Sequence, residues 1–332
     1  MVKIVKNIVW EVINAGSDNQ IYVKSIEKYL NCFDPLFEKA KQTEEYDFIC
    51  TILRFRGLQD AGWDTWKNTL SAVKKLYNLQ KSIRDFETIR HLFLWLYGHI
   101  VEASEPYEII ANLLNIVDGQ TFIIDNFPDK QGGRYPRPQS PSEKIDALDQ
   151  MSKKINIPDI VVPFQDVFDR ELRNAIFHSD YTLYNDEVRL MRGSNKKYSH
   201  KDIQSVINKA LAYIGTLETL ISYHISSYKV PKVINMFPKH TSDADEKAIT
   251  ILRKGHGVIG LQSNWSADEL KHGKILARLG RFTRREYEML ERNPENVIMP
   301  PDYREKINRI IPFFPKFIQK WIVMIIKKYN WI

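Results

Sequence analysis

The stretch "VPFQDVFDRELRNAIFHSDY", residues 162–181, decides how this chain is read. Val167, Phe168, Leu172, Ala175 and Ile176 recur at helical steps, so the spacing predicts one helix over 162–178 with an apolar side. Arg170, Asn174 and His178 fall at i, i+4 and i+8 and stack along one face. Arg173 lies five residues before His178, about 140° away on an ideal helix. A long guanidinium stem and a frayed last turn recover part of that gap.

Working outward, "YTLYNDEVRL" alternates apolar and polar residues around Asn-Asp, the pattern of a short β-hairpin. A long helix follows, capped by Ser199, with Ile203, Val206, Ile207, Leu211 and Ile214 in register. Upstream, Ile26, Leu30, Phe33, Leu36 and Phe37 mark one helix, and Phe48, Ile52 and Phe55 mark another. Leu70, Val73, Leu76 and Tyr77 mark a third. "FETIRHLFLWLYGHIVEAS" is apolar over most of its circumference, as expected inside a bundle, and Pro106 opens the next helix. The four prolines and the Gly-Gly pair of "NFPDKQGGRYPRPQSPSEK" predict a mobile loop at 126–141, and Ser140 or Ser142 then caps a new helix.

Past Pro231 the texture changes. "AITILRKGHGVIGLQSN" reads as two strands around a Lys-Gly-His-Gly turn. The expected fold is therefore mainly α: a helical bundle over 1–231, with a short hairpin after the motif helix, and a smaller α+β domain over 232–332. The tail helix, 315–329, places Phe317, Ile318, Trp321, Ile322 and Ile325 on one side, between Lys316, Lys320 and Lys327. Docking on protein is its ordinary account, and an anionic membrane surface is the competing one.

With 332 residues, 43% of them apolar and 27% charged, the composition is that of a soluble globular protein. The two cysteines, Cys32 and Cys50, build no disulfide framework and no zinc spacing, which suits a reducing cytoplasm. The N-terminus lacks a signal-peptide core. The tail's longest uncharged apolar run, Trp321 to Ile326, is far shorter than the roughly 20 residues of a membrane-spanning helix. Of the net charge of +7, most lies from Ala267 onward, with 14 Lys plus Arg against 8 Asp plus Glu. That surplus fits either an anionic partner or a solvated basic surface.

No Gly-rich phosphate loop, metalloprotease His pair or nucleophile elbow is present, so no cofactor or metal is expected. Chemistry then falls to Arg173, Asn174 and His178. Metal-free RNA cleavage needs a base for the ribose 2′-OH or an acid for the leaving oxygen, and imidazole titrates near neutrality. It needs a fixed cation beside the phosphorane, which a guanidinium supplies. Asparagine can orient either group. One set holds one histidine, so two sets meeting across a two-fold axis suit the reaction.

An ordinary structural reading competes. On it, His178 meets the helix C-terminal carbonyls and Arg173 pairs with Asp169 at i−4. Arg84 and His91 show a similar spacing in "RDFETIRH", on a largely apolar helix, where it is read as chance.

"RNAIFHSDY", closing a helix within an all-helical region and followed by a hairpin and a long helix, resembles the HEPN superfamily. The family signature is Arg, often a polar residue directly after it, then His after four to six residues; Arg173, Asn174 and His178 match it. The resemblance covers 21–228. It implies a dimerising helical bundle with a composite active site. It also implies metal-independent endoribonuclease activity leaving a cyclic phosphate, often in bacterial toxin–antitoxin, abortive-infection or other anti-phage systems with an antitoxin or defence partner. Some HEPN proteins are instead catalytically silent and bind nucleotides or partners. The resemblance does not extend to 232–332, and the helical part before the motif is longer than a minimal HEPN bundle.

Around the motif, His99 and Glu102 stand at i, i+3, read either as a buried His–Glu hydrogen bond or as neighbours tuning His178. Asp180 and Tyr181 are read as a turn residue and a hairpin anchor, or as groups holding the imidazole and stacking on a base. Arg170, Arg281, Arg284 and Arg285 are the candidate RNA contacts.

Overall fold

The computed structural model describes residues 20–54, 65–131, 136–191, 196–235, 247–253 and 255–263. The chain divides into two compact units, Met1–Tyr223 and His224–Ile332.

The first unit is mainly helical. Its helices are α1 (Gln20–Thr43), α2 (Glu45–Ile52), α3 (Thr65–Leu79), α4 (Phe86–Glu102), α5 (Glu105–Val117), α6 (Pro141–Lys154), α7 (Val162–Val167) and α8 (Arg170–His178). The long helix α9 (His200–Ser227) begins in this unit and ends in the second. The apolar positions of α1 at three- and four-residue steps are the ones it buries: Ile26, Tyr29, Leu30, Phe33, Leu36 and Phe37. They pack on α5, which is buried on nearly every side. At the centre Phe33, Tyr107, Phe164 and Tyr213 form a ring cluster drawn from α1, α5, α7 and α9, with centroids 5.1–6.4 Å apart. Asp166 of α7 fastens α1 and α9 to it by accepting hydrogen bonds from Lys28 (2.8 Å), Tyr29 (3.1 Å) and Lys209 (3.3 Å).

The helix expected over 162–178 is broken. Phe168 is extended, and Asp169 restarts the helix as an N-cap, accepting from the Glu171 and Leu172 N–H groups at 3.1 Å. Buried Tyr97 of α4 holds the break open. Its hydroxyl donates to Val167 O (3.1 Å) and accepts from Asp169 N–H (2.8 Å). Both backbone groups freed by the interruption thus find a partner.

The expected hairpin is two strands of a three-stranded antiparallel sheet. β1 (Tyr181–Tyr184) pairs with β2 (Glu187–Leu190), and β2 pairs with β3 (Lys197–Ser199). Buried Arg90 of α4 holds the hairpin tip by donating to Asn185 O and to Glu187 O (2.6 Å).

Within the segment 126–141, several described residues are tied to the bundle or to one another. The Phe127 ring is buried. The Asn126 N–H and side-chain amide both donate to Glu108 (3.0 and 2.9 Å), and Lys130 pairs with Arg137 as an isolated antiparallel bridge. Ser140 and Glu143 form a capping box, and Glu143 also accepts from Lys130 (2.8 Å) and Arg137 (2.7 Å).

The second unit carries an antiparallel sheet of β4 (Val233–Asn235), β5 (Lys247–Arg253) and β6 (Gly257–Ser263). β5 and β6 are the two strands expected from the sequence; β4 is an addition. Gly257 has φ +99° and lies against the end of α9, where a Cβ would sit 1.9 Å from Ile225 O. The tail helix expected at 315–329 lies outside the described residues. Among those described, no helix is long and apolar enough to cross a membrane.

Candidate functional site

α8 is the element that carries Arg173, Asn174 and His178, and both of its ends are secured. The Asp169 carboxylate closes the start, accepting also from Lys196 (2.8 Å) and Tyr198 (2.6 Å). At the other end Ser179 adopts the left-handed conformation, φ 56°. The Ser179 N–H then donates to Ile176 O (3.3 Å) and the Asp180 N–H to Ala175 O (2.8 Å). This is a Schellman arrangement, which satisfies carbonyls that would otherwise end the helix unpaired. Leu172, Ala175 and Ile176 are buried toward the core. Arg170, Phe177 and His178 are exposed.

Arg173 does not pair with Asp169, whose side chain is fully engaged elsewhere. Its Nε donates to Glu102 at the end of α4, and its Nη1 donates to the Asn174 side-chain oxygen (2.9 Å). The guanidinium also stands 5.1 Å from the centroid of the Phe177 ring. Gly98 permits this packing: a Cβ there would lie 3.2 Å from Phe177 Cε2 and 3.4 Å from Ile176 Cγ2. Arg173 is 22% exposed and Glu102 32%, so the pair sits at the surface of the bundle, accessible from outside. Nη2 has no hydrogen-bond partner among the described residues, which leaves one edge of the fork open.

The hydrogen bond expected between His99 and Glu102 does not form; Glu102 accepts from Arg173 instead. The Glu102 carboxylate therefore acts on the guanidinium, and no bond links it to His178. Burial lowers the His99 pKa from its ordinary value, and among the described residues its Nε2 has no partner. The His178 side chain likewise makes no hydrogen bond among the described residues, and the helix-end carbonyls it was expected to meet are taken by backbone N–H groups.

Tyr181 belongs to a chain of contacts that the sequence did not disclose. Its hydroxyl lies 2.8 Å from His91 Nδ1. His91 Nε2 lies 4.0 Å from Glu87. Burial raises the Tyr181 pKa. His91, which resembled a chance spacing, is thus Tyr181's partner. The available signal was the run of His91, Trp95 and His99 at i, i+4 and i+8 along α4. Asp180 closes the sheet to the helix, its carbonyl accepting from Met191 N–H (2.8 Å).

The structure therefore brings Arg173, Asn174 and Glu102 into one bonded group and leaves His178 exposed at the end of the same short helix. Arg281, Arg284 and Arg285 lie outside the described residues. Comparison with protein-family models, with curated proteins and with solved structures gives no match.

Proposed function

We propose that this chain is a metal-independent endoribonuclease of HEPN type that acts as a homodimer. One observation carries the reading: an arginine oriented by two side chains shares a rigid, doubly capped helix with an exposed, uncommitted histidine. His178 takes the 2′-hydroxyl proton, the 2′-oxygen attacks phosphorus, and the bond to the 5′-oxygen breaks. His178 of a second copy, protonated, returns a proton to that oxygen, leaving a 2′,3′-cyclic phosphate. The open edge of Arg173 faces the charge that grows on phosphorus. Glu102 and Asn174 keep that edge in place, so little reorganisation accompanies the reaction. A bacterial toxin or anti-phage setting, with RNA as target and an antitoxin or defence partner, follows from the resemblance of the motif.

The test is cleavage of RNA by pure protein in EDTA. Wild type is expected to cut and leave cyclic-phosphate ends. His178→Ala is expected to be inactive with an unchanged melting temperature. If neither protein cuts, the ribonuclease reading fails.

A second reading is favoured by the Glu102 carboxylate, which already balances the Arg173 charge: a catalytically silent module that binds nucleic acid or a protein. Glu102→Gln separates the two. An enzyme whose arginine needs that carboxylate for aim should lose rate at unchanged KM. A silent module should bind its polyanion more tightly and still not cut.

A further inference from the structure

The spacing of residues 162–178 asks for one helix, and the chain folds them as two. Phe164, Val167, Phe168, Leu172, Ala175 and Ile176 keep one apolar stripe through the break, so an unbroken helix would bury the same side chains. The stripe therefore does not decide between the two forms; the hydrogen bonds at the joint do. In an unbroken helix Val167 O accepts from the Glu171 N–H, and the Asp169 N–H donates to Gln165 O. In the broken form Asp169 caps the Glu171 and Leu172 N–H groups (3.1 Å), but a carboxylate only accepts. The freed Val167 carbonyl is served by the Tyr97 hydroxyl (3.1 Å), which also takes the Asp169 N–H (2.8 Å).

The joint sets where the motif stands. Phe168 (φ −83°, ψ 106°) and Asp169 (φ −103°, ψ 106°) are extended. An extended residue rises about 3.3 Å, against about 1.5 Å in a helix, so the two lengthen the path to α8 by about 3–4 Å. Closing the break into a continuous helix draws α8 back by that distance and turns it. α4 follows the position of α8 residue by residue: Tyr97 lies at the joint, Gly98 lies against Phe177, and Glu102 accepts from Arg173. A hydrogen bond tolerates a few tenths of an ångström, so a shift of about 3–4 Å parts Arg173 from Glu102.

We infer that Tyr97 is a positioning residue: its hydroxyl holds 162–178 in the two-helix form, and that form aims Arg173 and His178. Tyr97 is 1% exposed, so it meets no substrate and acts only through the backbone of the joint. With phenylalanine at 97, the broken form deprives Val167 O and the Asp169 N–H of this partner, while the single helix pairs both. The balance then passes to the single helix. The role in catalysis rests on the ribonuclease reading; the two-form joint does not.

Two readouts on the full chain test it. The Cα chemical shift of Phe168, in protein carrying carbon-13-labelled phenylalanine and assigned by its loss in Phe168→Leu, reports the joint. Cleavage rates on RNA in EDTA report the site. Tyr97→Phe is expected to move the Phe168 shift from the extended toward the helical range. It should also lower kcat about 100-fold at unchanged KM, the cost of misplacing a group by about an ångström or more. Tyr29→Phe removes another buried hydroxyl, one bonded to the Asp166 side chain, and should change neither readout. Arg170→Pro suits the first turn of α8 and forbids a helix running through it, so in that background Tyr97→Phe should neither move the shift nor lower kcat further. A Phe168 shift in Tyr97→Phe that does not move toward the helical range overturns the inference, as does a kcat within about twofold of wild type. An equal loss in Tyr29→Phe, or from Tyr97→Phe in the Arg170→Pro background, overturns it too. If the shift moves while wild type itself cuts nothing, the joint stands and the ribonuclease reading fails, so the two failures are told apart.

Discussion

Replacing Asp169 by alanine removes several interactions at the start of the motif helix. The cap on the Glu171 and Leu172 N–H groups is worth about 1 kcal/mol and at most about 2. The Tyr198 hydroxyl, on a residue only 5% exposed, loses its 2.6 Å acceptor, at a cost of about 1–3 kcal/mol. The Lys196 ion pair is partly solvated and adds less than about 1 kcal/mol. The sum is about 3 kcal/mol, or roughly a hundredfold faster opening of α8. Hydrogen exchange of the α8 amides is the suitable assay, because a chain of two units has no single unfolding transition. Asp169→Asn keeps a cap and an acceptor and should lose about 1 kcal/mol. Burial opposes ionisation of Asp169, but the bonds from Lys196, Tyr198 and the Leu172 N–H outweigh it, and its pKa is lowered. A depressed carboxyl contributes stability above its unfolded value, near about 4, and loses it as pH falls through the folded value. The gap between wild type and Asp169→Asn should therefore be full at neutral pH and close in acid. Exchange in Asp169→Ala within about twofold of wild type, or a gap that widens in acid, would refute the reasoning.

Ser179→Gly should stabilise α8 by about 0.5–1 kcal/mol, because glycine takes the left-handed turn without the Cβ penalty, and slower hydrogen exchange of the α8 amides would show it. Gly257→Ala should destabilise the β5–β6 hairpin by about 2 kcal/mol or more, since the new Cβ collides with backbone at Ile225 O; exchange in those strands would rise. Glu143→Gln should open the segment around Lys130 and Arg137 to limited proteolysis at neutral pH. Hydrogen bonds from Arg137, Lys130 and Ser140 lower the Glu143 pKa, so wild type should keep this segment closed until well into acid.

The bundle was legible because its cores repeat at short range: Ile26, Leu30 and Phe33, or Ile203, Ile207 and Leu211, state their period without help from the rest of the chain. Ser140 and Ser199 were legible for the same reason, since a cap is decided within four residues. The break before Asp169 was not. Val167, Phe168 and Leu172 keep helical spacing straight through it, and only the hydroxyl of Tyr97, about 70 residues earlier, makes an interruption tolerable. The partner of Arg173 was hidden likewise. Asp169 stands at the right spacing to pair with it, and nothing local reveals that Glu102 is nearer or that Asp169 is already occupied by Lys196 and Tyr198. The candidate residues themselves were legible as a pattern. Their mutual geometry depends on α4, whose histidines and tryptophan looked like filling for a core.

A helix of nine residues, closed at its start by a carboxylate and at its finish by a left-handed serine, is a cassette. What holds it lies at its two ends and on its inner side, and the outward positions 170, 174 and 178 contribute little to keeping it folded. Selection, or an engineer, could exchange the chemistry displayed there for another set of side chains and leave the scaffold beneath unaltered.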